Sequence, residues 1–302
     1  MDVCPLKNPN LLVKVTEMGN VTELQYMSHR NCKQTIQMLP GGLEYLILAT
    51  GEVNSCQIHD SRQEQKKSLY RTFSNARGLI NSNITDVNNV RWITLTYAEN
   101  MTDTKRLYED FRDFNKRFQY YCKTKGYSCP EYIVMMEPQG RGAWHAHLLY
   151  IWQQKAPYIA NKTLKEIWQQ GFVKIKKLDN CDNVGAYLTA YLGDMEIQDA
   201  VSQGVKVSGE QVKTVELLND NGTKDTKYFI KGARLDLYPA KFNMIRSSRG
   251  VKRPIVDMLS QKMAEKKVSS AKLTYEKTIK LTDESSDFNC IINTKQYNKL
   301  RK

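Results

Sequence analysis

The stretch EYIVMMEPQGRGAWHAHLLYIW, from Glu131 to Trp152, decides the fold of the middle of the chain. Two apolar runs flank the short polar segment QGRG, and this order is typical of a β-hairpin. Side chains at i and i+2 of a strand point to the same face, so His145 and His147 lie side by side on the second arm. Two adjacent imidazoles suit a divalent metal ion, although an isolated His-x-His triplet more often holds two hydrogen-bonded strand residues.

A carboxylate within reach of both histidines favours the metal interpretation. Glu137 ends the first arm of the hairpin, and the turn folds it back across from His145. Two imidazoles and one carboxylate leave open positions for a substrate oxygen, as a catalytic metal requires. We therefore predict Glu137, His145 and His147 as metal ligands, with a merely solvated Glu137 as the alternative.

Strands and helices alternate around the hairpin. VRWITLTYA (90–98) is rich in β-branched and aromatic residues and predicts a strand. The next segment predicts a helix that Thr102 and Asp103 cap and Gly126 ends. Its apolar residues recur at steps of three and four: Leu107, Phe111, Phe114, Phe118 and Tyr121.

Four further segments complete the predicted fold. SLYRTFSNARGLINSN (68–83) predicts a basic amphipathic helix, and NKTLKEIWQQG (161–171) predicts a short helix. GFVKIKKL (171–178) alternates as a strand with Lys174 and Lys176 on one face. NVGAYLTAYLGD (183–194) predicts a helix with Tyr187 and Tyr191 one turn apart. The sum is an α+β protein with an antiparallel sheet flanked by helices, an N-terminal helical region and a basic C-terminal extension.

The charge of the chain indicates a polyanionic partner. The formal net charge is +13 and the pI about 9.3, and residues 231–302 hold 17 Lys and Arg against 7 Asp and Glu. In FNMIRSSRGVKRP (242–254) the basic residues crowd around turn-forming residues, which predicts a phosphate-contacting loop. Its four members are Arg246, Arg249, Lys252 and Arg253. Scattered solvated cations are the alternative, and residues 281–302 are expected to be poorly ordered.

Bulk properties exclude several classes of protein. No apolar run is long enough to span a membrane and no signal-peptide pattern is present, so we expect a cytoplasmic protein without a membrane partner. Seven irregularly spaced cysteines suit a reducing compartment. Cys56 and His59, with Cys32, supply half of a zinc site, but no second pair follows, so structural zinc is not expected.

Three motifs together resemble a known family. WITLTY, EPQGRGAWHAH and YLTAY are similar, in this order, to the motifs of the HUH endonucleases, specifically two-tyrosine rolling-circle replication initiators (Rep proteins) of phages and plasmids. The resemblance covers about residues 86–195, and more weakly KGARLDLYPAKFNMIRSSRGVKRP (231–254). It implies three regions: 1–85 with the basic helix, 86–195 as the HUH core, and 196–302 as a basic DNA-contacting region with a partly flexible tail.

The resemblance also implies a chemistry. The fold would be an HUH/RRM-like sheet, and Mn2+ or Mg2+ on its three ligands would polarise a DNA phosphate. Tyr187 and Tyr191 would be the catalytic nucleophiles, which nick single-stranded or origin DNA through a 5′-phosphotyrosine and later rejoin it. The sequence has no GxxxxGK[ST] phosphate loop, so unwinding would depend on a host helicase and the replication machinery.

The sequence departs from the family at two positions. Family members with two tyrosines carry Lys three residues after each, where this chain has Ala190 and Asp194. Arg141, Lys174 or Lys176 could supply the missing charge. The alternatives are a relaxase or transposase with the same chemistry, or a noncatalytic DNA-binding protein on a decayed HUH core. A histidine-triad hydrolase is disfavoured because Leu149 interrupts the alternation.

Overall fold

The computed structural model describes ten segments of the chain, which form two compact units. The described residues are 12–29, 34–56, 66–139, 141–178, 183–190, 194–202, 212–218, 224–230, 232–282 and 289–301. A terminal unit comprises residues 1–16, 22–60 and 256–302, and a central unit comprises 17–21 and 61–255. This division differs from the three consecutive regions predicted from the sequence, because both ends of the chain contribute to one unit.

The described residues contain sixteen strands and six α-helices. The strands are β1 (Leu12–Met18), β2 (Val21–Met27), β3 (Ile36–Met38), β4 (Glu44–Ile47), β5 (Val53–Ser55), β6 (Val90–Tyr97), β7 (Glu131–Pro138), β8 (Trp144–Ile151), β9 (Gly171–Lys176), β10 (Met195–Glu196), β11 (Val212–Leu218), β12 (Lys224–Ile230), β13 (Ile245–Ser247), β14 (Ile255–Ser260), β15 (Lys272–Thr282) and β16 (Asn289–Asn298). The helices are α1 (Lys66–Asn83), α2 (Thr104–Thr124), α3 (Asn161–Trp168), α4 (Val184–Ala190), α5 (Ile197–Ser202) and α6 (Gln261–Val268).

A five-stranded antiparallel sheet forms the centre of the central unit. Its order is β13-β7-β8-β6-β9, so the predicted hairpin β7–β8 lies in the middle and β9 lies at one edge. The predicted α+β class, an antiparallel sheet flanked by helices, is confirmed. A separate small sheet has the order β10-β12-β11.

One face of the central sheet is covered by α2 and α3. Asp103 caps α2, because its carboxylate accepts hydrogen bonds from the backbone N–H groups of Lys105 and Arg106. The buried stripe of α2 consists of Leu107, Phe111, Phe114, Phe118 and Cys122. It packs against strand residues such as Leu95 and Leu148, together with Leu164 and Trp168 of α3. The strong 3.6-residue periodicity of this segment therefore predicted the correct helix and the correct face.

The opposite face of the sheet is covered by α1 and α4. Ile80 of α1 and Leu188 of α4 are buried against Trp92 and Leu149. Alternate residues of a strand share a face, so Leu149 lies on the same face as His147 and His145. The short helix α4 is therefore packed on the histidine face.

Three side-chain hydrogen bonds fix α4 against α1. Asn183 caps α4 by accepting from the Ala186 N–H at 2.8 Å, and it also accepts from Nδ2 of Asn81 at 2.8 Å. The Oδ1 atom of the buried Asn81 accepts from the Gly185 N–H at 2.8 Å. A Cβ atom added to Gly185 would lie 2.6 Å from the carbonyl oxygen of Arg77. The close approach of the two helices therefore requires glycine at this position.

The terminal unit consists mainly of a second five-stranded sheet, with the order β14-β1-β2-β16-β15. Val15, Leu24 and Tyr26 pack against Ala264 and Val268 of α6. The three short strands β3, β4 and β5 form a further antiparallel sheet. No element before residue 68 was predicted from the sequence, so these N-terminal strands were missed.

The expectation of a poorly ordered C-terminal tail is wrong for residues 289–301. They include β16, which pairs with β15 and whose Ile291 exchanges hydrogen bonds with Ser28. The polar composition of the tail hid this strand, because its partners lie far away in the sequence. Cys32 and His59 lie outside the described residues, and Cys56 is a free, half-buried thiol. Among the described residues, no helix is long and apolar enough to cross a membrane.

The α1–α4 contact leads to a stability prediction. Gly185→Ala should destabilise the protein by about 1–3 kcal/mol, because the added methyl group meets rigid helix backbone. Chemical denaturation monitored by circular dichroism measures the change. Alanine is favoured over glycine by up to about 1 kcal/mol in an unstrained helix. A stabilised variant would thus contradict the close packing of the two helices.

Candidate functional site

The register of the central sheet places the predicted ligands in neighbouring rows. Glu137 of β7 is directly opposite His145 of β8, and His145 is directly opposite Thr96 of β6. In the next row, His147 pairs with Thr94. The hairpin therefore brings Glu137, His145 and His147 together on one face, as predicted.

The carboxylate of Glu137 is buried between two cationic or polar partners. Its Oε2 atom lies 2.7 Å from Nε2 of His147, and its Oε1 atom lies 2.6 Å from Nη1 of Arg234. The side chains of Glu137 and Arg234 are only 8% and 13% exposed. Burial raises the pKa of Glu137, but His147 and then Arg234 outweigh burial, so that the pKa lies below its ordinary value.

Hydrogen bonds define the tautomer of a neutral His147 side chain. The ionised oxygen of Glu137 accepts only, so Nε2 of His147 donates to it. The other ring nitrogen, Nδ1, lies 3.2 Å from Oγ1 of Thr94 and accepts from that hydroxyl group. Thr94 belongs to the motif WITLTY and thus orients a proposed metal ligand, a role typical of residues around metal sites.

His145 has a different environment. Its Nε2 atom is buried and has no hydrogen-bond partner among the described residues. Burial first, and then the proximity of His147, lower the pKa of His145 to about 4, so the ring is neutral at pH 7. A buried polar atom without a partner is costly, and a bound cation would relieve this cost.

The side chains fit a divalent metal ion by their chemistry but are not yet arranged around one. Glu137 offers Oε2, and both histidines are held neutral or oriented with ring nitrogens near it. Among the described residues, however, no cluster of three or more His, Cys, Asp or Glu side chains has the geometry of a metal site. The direct contact of Glu137 with His147 occupies the donors that a metal would use, so metal binding would have to separate these two atoms.

The predicted tyrosines are only partly described. Tyr187 is in α4, which packs on the histidine face through Val184 and Leu188, but the side chain of Tyr187 is outside the described set. Tyr191 lies outside the described residues altogether. The structure thus brings the helix of Tyr187 to the histidine face, and the nucleophilic role of both tyrosines stays a prediction.

The edge strand β9 brings predicted basic residues to the same face. Lys174 is paired with Thr94, and Nζ of Lys176 lies 5.3 Å from the ring centroid of Trp92. Phe172 is opposite Thr96 and is 59% exposed, although nothing in the sequence had singled it out. Arg141 is exposed in the β7–β8 turn. An exposed aromatic ring with alternating lysines is typical of surfaces that bind single-stranded nucleic acid.

The basic segment 246–253 is not brought next to the histidines. Arg246 is opposite Val134 on the α2 face, with its guanidinium 3.4 Å from the ring centroid of Tyr108. Arg249, Lys252 and Arg253 are exposed beyond the end of β13. Because β13 pairs with the first half of β7, these three residues lie roughly 20 Å along the sheet from Glu137. Their contact with phosphates stays a prediction.

Arg234 is the site residue that the sequence did not reveal. It lies in a turn followed by a 3-10 helix (Leu235–Leu237), within the segment KGARLDLYPAK. No periodicity or spacing distinguishes it from the other cations near it in sequence. Its link to Glu137, about a hundred residues earlier, depends entirely on the tertiary fold.

The fold and site together define an α+β protein with a buried Glu-His-His centre on an antiparallel sheet. Residues 90–196, about a third of the chain, match the family described as Replication-associated protein ORF2. The matched segment runs from the first residue of β6 to the last residue of β10, and it contains the three predicted ligands and α4. Neither the comparison with curated proteins nor that with solved structures gave a significant match. The central unit is thus similar to replication-associated proteins.

The site predicts different effects for its two histidines. His145→Ala and His147→Ala should both abolish Mn2+ binding measured by calorimetry, while His29→Ala, in the terminal unit, should not. Without metal, His147→Ala should cost roughly 1–3 kcal/mol more stability than His145→Ala, because it removes a partner of buried Glu137. Unaltered Mn2+ affinity in both variants would exclude this metal site. Equal losses of stability would contradict the pairing of His147 with Glu137.

Proposed function

We propose that this protein is a rolling-circle replication initiator that nicks and rejoins DNA through a tyrosine. The observation that carries the proposal is the Glu137–His145–His147 cluster on the sheet face that α4 covers. This arrangement lies within a segment similar to replication-associated proteins. A protein without catalytic function would gain nothing from the buried Nε2 atom of His145, which has no partner in the described part of the chain.

The residues of the site divide the work of phosphoryl transfer. A divalent ion on Glu137, His145 and His147 would polarise the scissile phosphate and offset its developing charge. Imidazole ligands favour Mn2+ over Mg2+, which prefers all-oxygen shells. Thr94 and Arg234 hold His147 and Glu137 in place, so that the ligands need little reorganisation.

The chemical step exchanges one phosphodiester for another. A tyrosine hydroxyl has an ordinary pKa near ~10 and must lose its proton to attack. The phenolic oxygen of Tyr187 forms a bond to phosphorus, the bond to the 3′ oxygen breaks, and a 5′-phosphotyrosine and a free 3′-hydroxyl result. Because no water is consumed, the reverse attack rejoins the strand without ATP. Tyr191 would supply the second nucleophile that ends a replication round.

The DNA path that best suits the surface follows β9. Lys174 and Lys176 lie on the histidine face at its open edge, and Phe172 is beside the row of His145 and Glu137. Phosphates would contact the lysines and a base would stack on Phe172. The sequence contains no helicase phosphate loop, so a host helicase and the host replication machinery are proposed partners.

Two other functions use the same residues. A relaxase or a transposase would share the site and differ in the DNA it recognises. A noncatalytic DNA-binding protein is favoured by one observation, the presence of Ala190 and Asp194 where the family carries lysines. Covalent adduct formation separates this last alternative from the proposed function.

The decisive experiment is a test for a covalent DNA adduct. The protein is incubated with labelled single-stranded oligonucleotides and Mn2+ and separated on a denaturing gel. Tyr187→Phe should lose most of the adduct, because it removes the initiating nucleophile. Tyr191→Phe should still nick but should not release closed circles. Adduct retained in the double variant, or mapped by mass spectrometry to another tyrosine, would refute the assignment.

The proposed DNA path predicts separate effects for charge and stacking. Lys174→Gln with Lys176→Gln should reduce the slope of log K against log salt by up to about 1.4, since each single-strand phosphate contact contributes ~0.7. Phe172→Ala should weaken single-stranded DNA binding by roughly 1–3 kcal/mol without changing the slope. Lys123→Gln with Lys125→Gln, an equal charge change near the end of α2, is the control. An equal loss of slope in this control would exclude a path along β9.

A further inference from the structure

Arg234 makes three charge-assisted or polar contacts that converge on the candidate metal site. Its Nη1 atom lies 2.6 Å from Oε1 of Glu137 and 3.1 Å from the carbonyl oxygen of Pro138. Its Nε atom lies 2.6 Å from the carbonyl oxygen of Asp194. The carboxylate of Asp194 in turn accepts from the Gly232 N–H at 3.0 Å, which anchors the turn that carries Arg234.

These contacts leave the two oxygens of Glu137 with different tasks. Oε1 is taken by the guanidinium, and Oε2 is turned towards His147. A guanidinium is planar and rigid, so it holds a carboxylate in one orientation better than an ammonium group does. The partners of metal-ligating carboxylates are known to tune the affinity for the metal in this way.

Asp194 extends the same connection towards the tyrosine helix. It follows the last residue of α4 by four positions and directly precedes β10. It is also the position at which the sequence lacks an expected lysine. A side chain from a distant turn thus brings a positive charge to the carboxylate of the site.

We propose that Arg234 is the positioning residue of the metal site, which fixes Glu137 so that Oε2 and the two histidines receive a divalent cation. The proposal rests on the metal site of the proposed function. It concerns a contact that the metal leaves intact: Arg234 stays on Oε1 while Oε2 exchanges His147 for the cation.

The opposite role for Arg234 would have the opposite sign. A guanidinium that merely fills the place of a missing cation would compete with the metal, and its own charge would repel it. Removing such a competitor would tighten metal binding. Removing a positioning residue weakens it, typically about 10–100-fold. The direction of the change in Mn2+ affinity therefore distinguishes the two roles.

The test measures Mn2+ affinity of the full chain by isothermal titration calorimetry. Arg234→Met, which keeps the aliphatic stem and removes the fork, should bind Mn2+ at least roughly 10-fold more weakly than the wild-type protein. Arg234→Lys keeps the charge but cannot reach all three acceptors, and it should fall between them. Arg106→Met breaks another arginine–carboxylate pair, with Glu99, and should bind like the wild type. The visible spectrum of bound Co2+ should shift in Arg234→Lys, because it reports the arrangement of the ligands.

Each outcome decides the proposal. Wild-type or tighter Mn2+ affinity in Arg234→Met would overturn it in favour of a competitor. If circular dichroism shows that Arg234→Met is unfolded, Arg234→Lys decides alone: weaker binding supports positioning, and unchanged binding with an unshifted Co2+ spectrum refutes it. Failure of the proposed function is distinguishable, because the wild-type protein would then bind no Mn2+ or His145→Ala with His147→Ala would bind it normally.

Discussion

The buried carboxylate of Glu137 is the constraint on which the site depends. An ionised carboxylate that is only 8% exposed is tolerable only with close cationic or hydrogen-bonding partners. His147 and Arg234 meet this requirement from different parts of the chain, one across the hairpin and one from a turn after β12. The electrostatic demand of one residue thus ties β7, β8 and a distant turn into a single arrangement.

The same face of the sheet serves for packing at one end and for chemistry at the other. Trp92 and Leu149 are buried under α1 and α4, whereas His145 and His147 follow on the same alternate positions of β8. The apolar half holds α4 firmly, with Asn81 and Gly185 allowing a close approach of the two helices. A helix held in this way is suited to present a nucleophile, because catalytic groups need rigid support.

The sequence predicted those parts of the molecule that depend on local pattern. The stripe of α2, the hairpin β7–β8 and the pairing of Glu137 with His145 follow from periodicity and from one turn. Arg234 and the strand β16 could not be predicted, because each acquires its role only from partners remote in sequence. Phe172 was overlooked for another reason. The strand was recognised by its alternating lysines, and attention to charge left the aromatic residue on the same face unread.

The distribution of positive charge bears on how the protein would engage a DNA strand. Lys174 and Lys176 lie beside the histidine row, whereas Arg249, Lys252 and Arg253 lie near the start of β7, roughly 20 Å from Glu137. Charges so far apart are largely screened from one another at physiological salt, where the Debye length is about 8 Å. The two groups of cations would therefore act independently, one on the phosphates next to the scissile bond and the other on DNA farther along. A local group positions the strand for attack, while a remote group raises affinity for any sequence, which is what an enzyme that stays with one origin during a replication round needs.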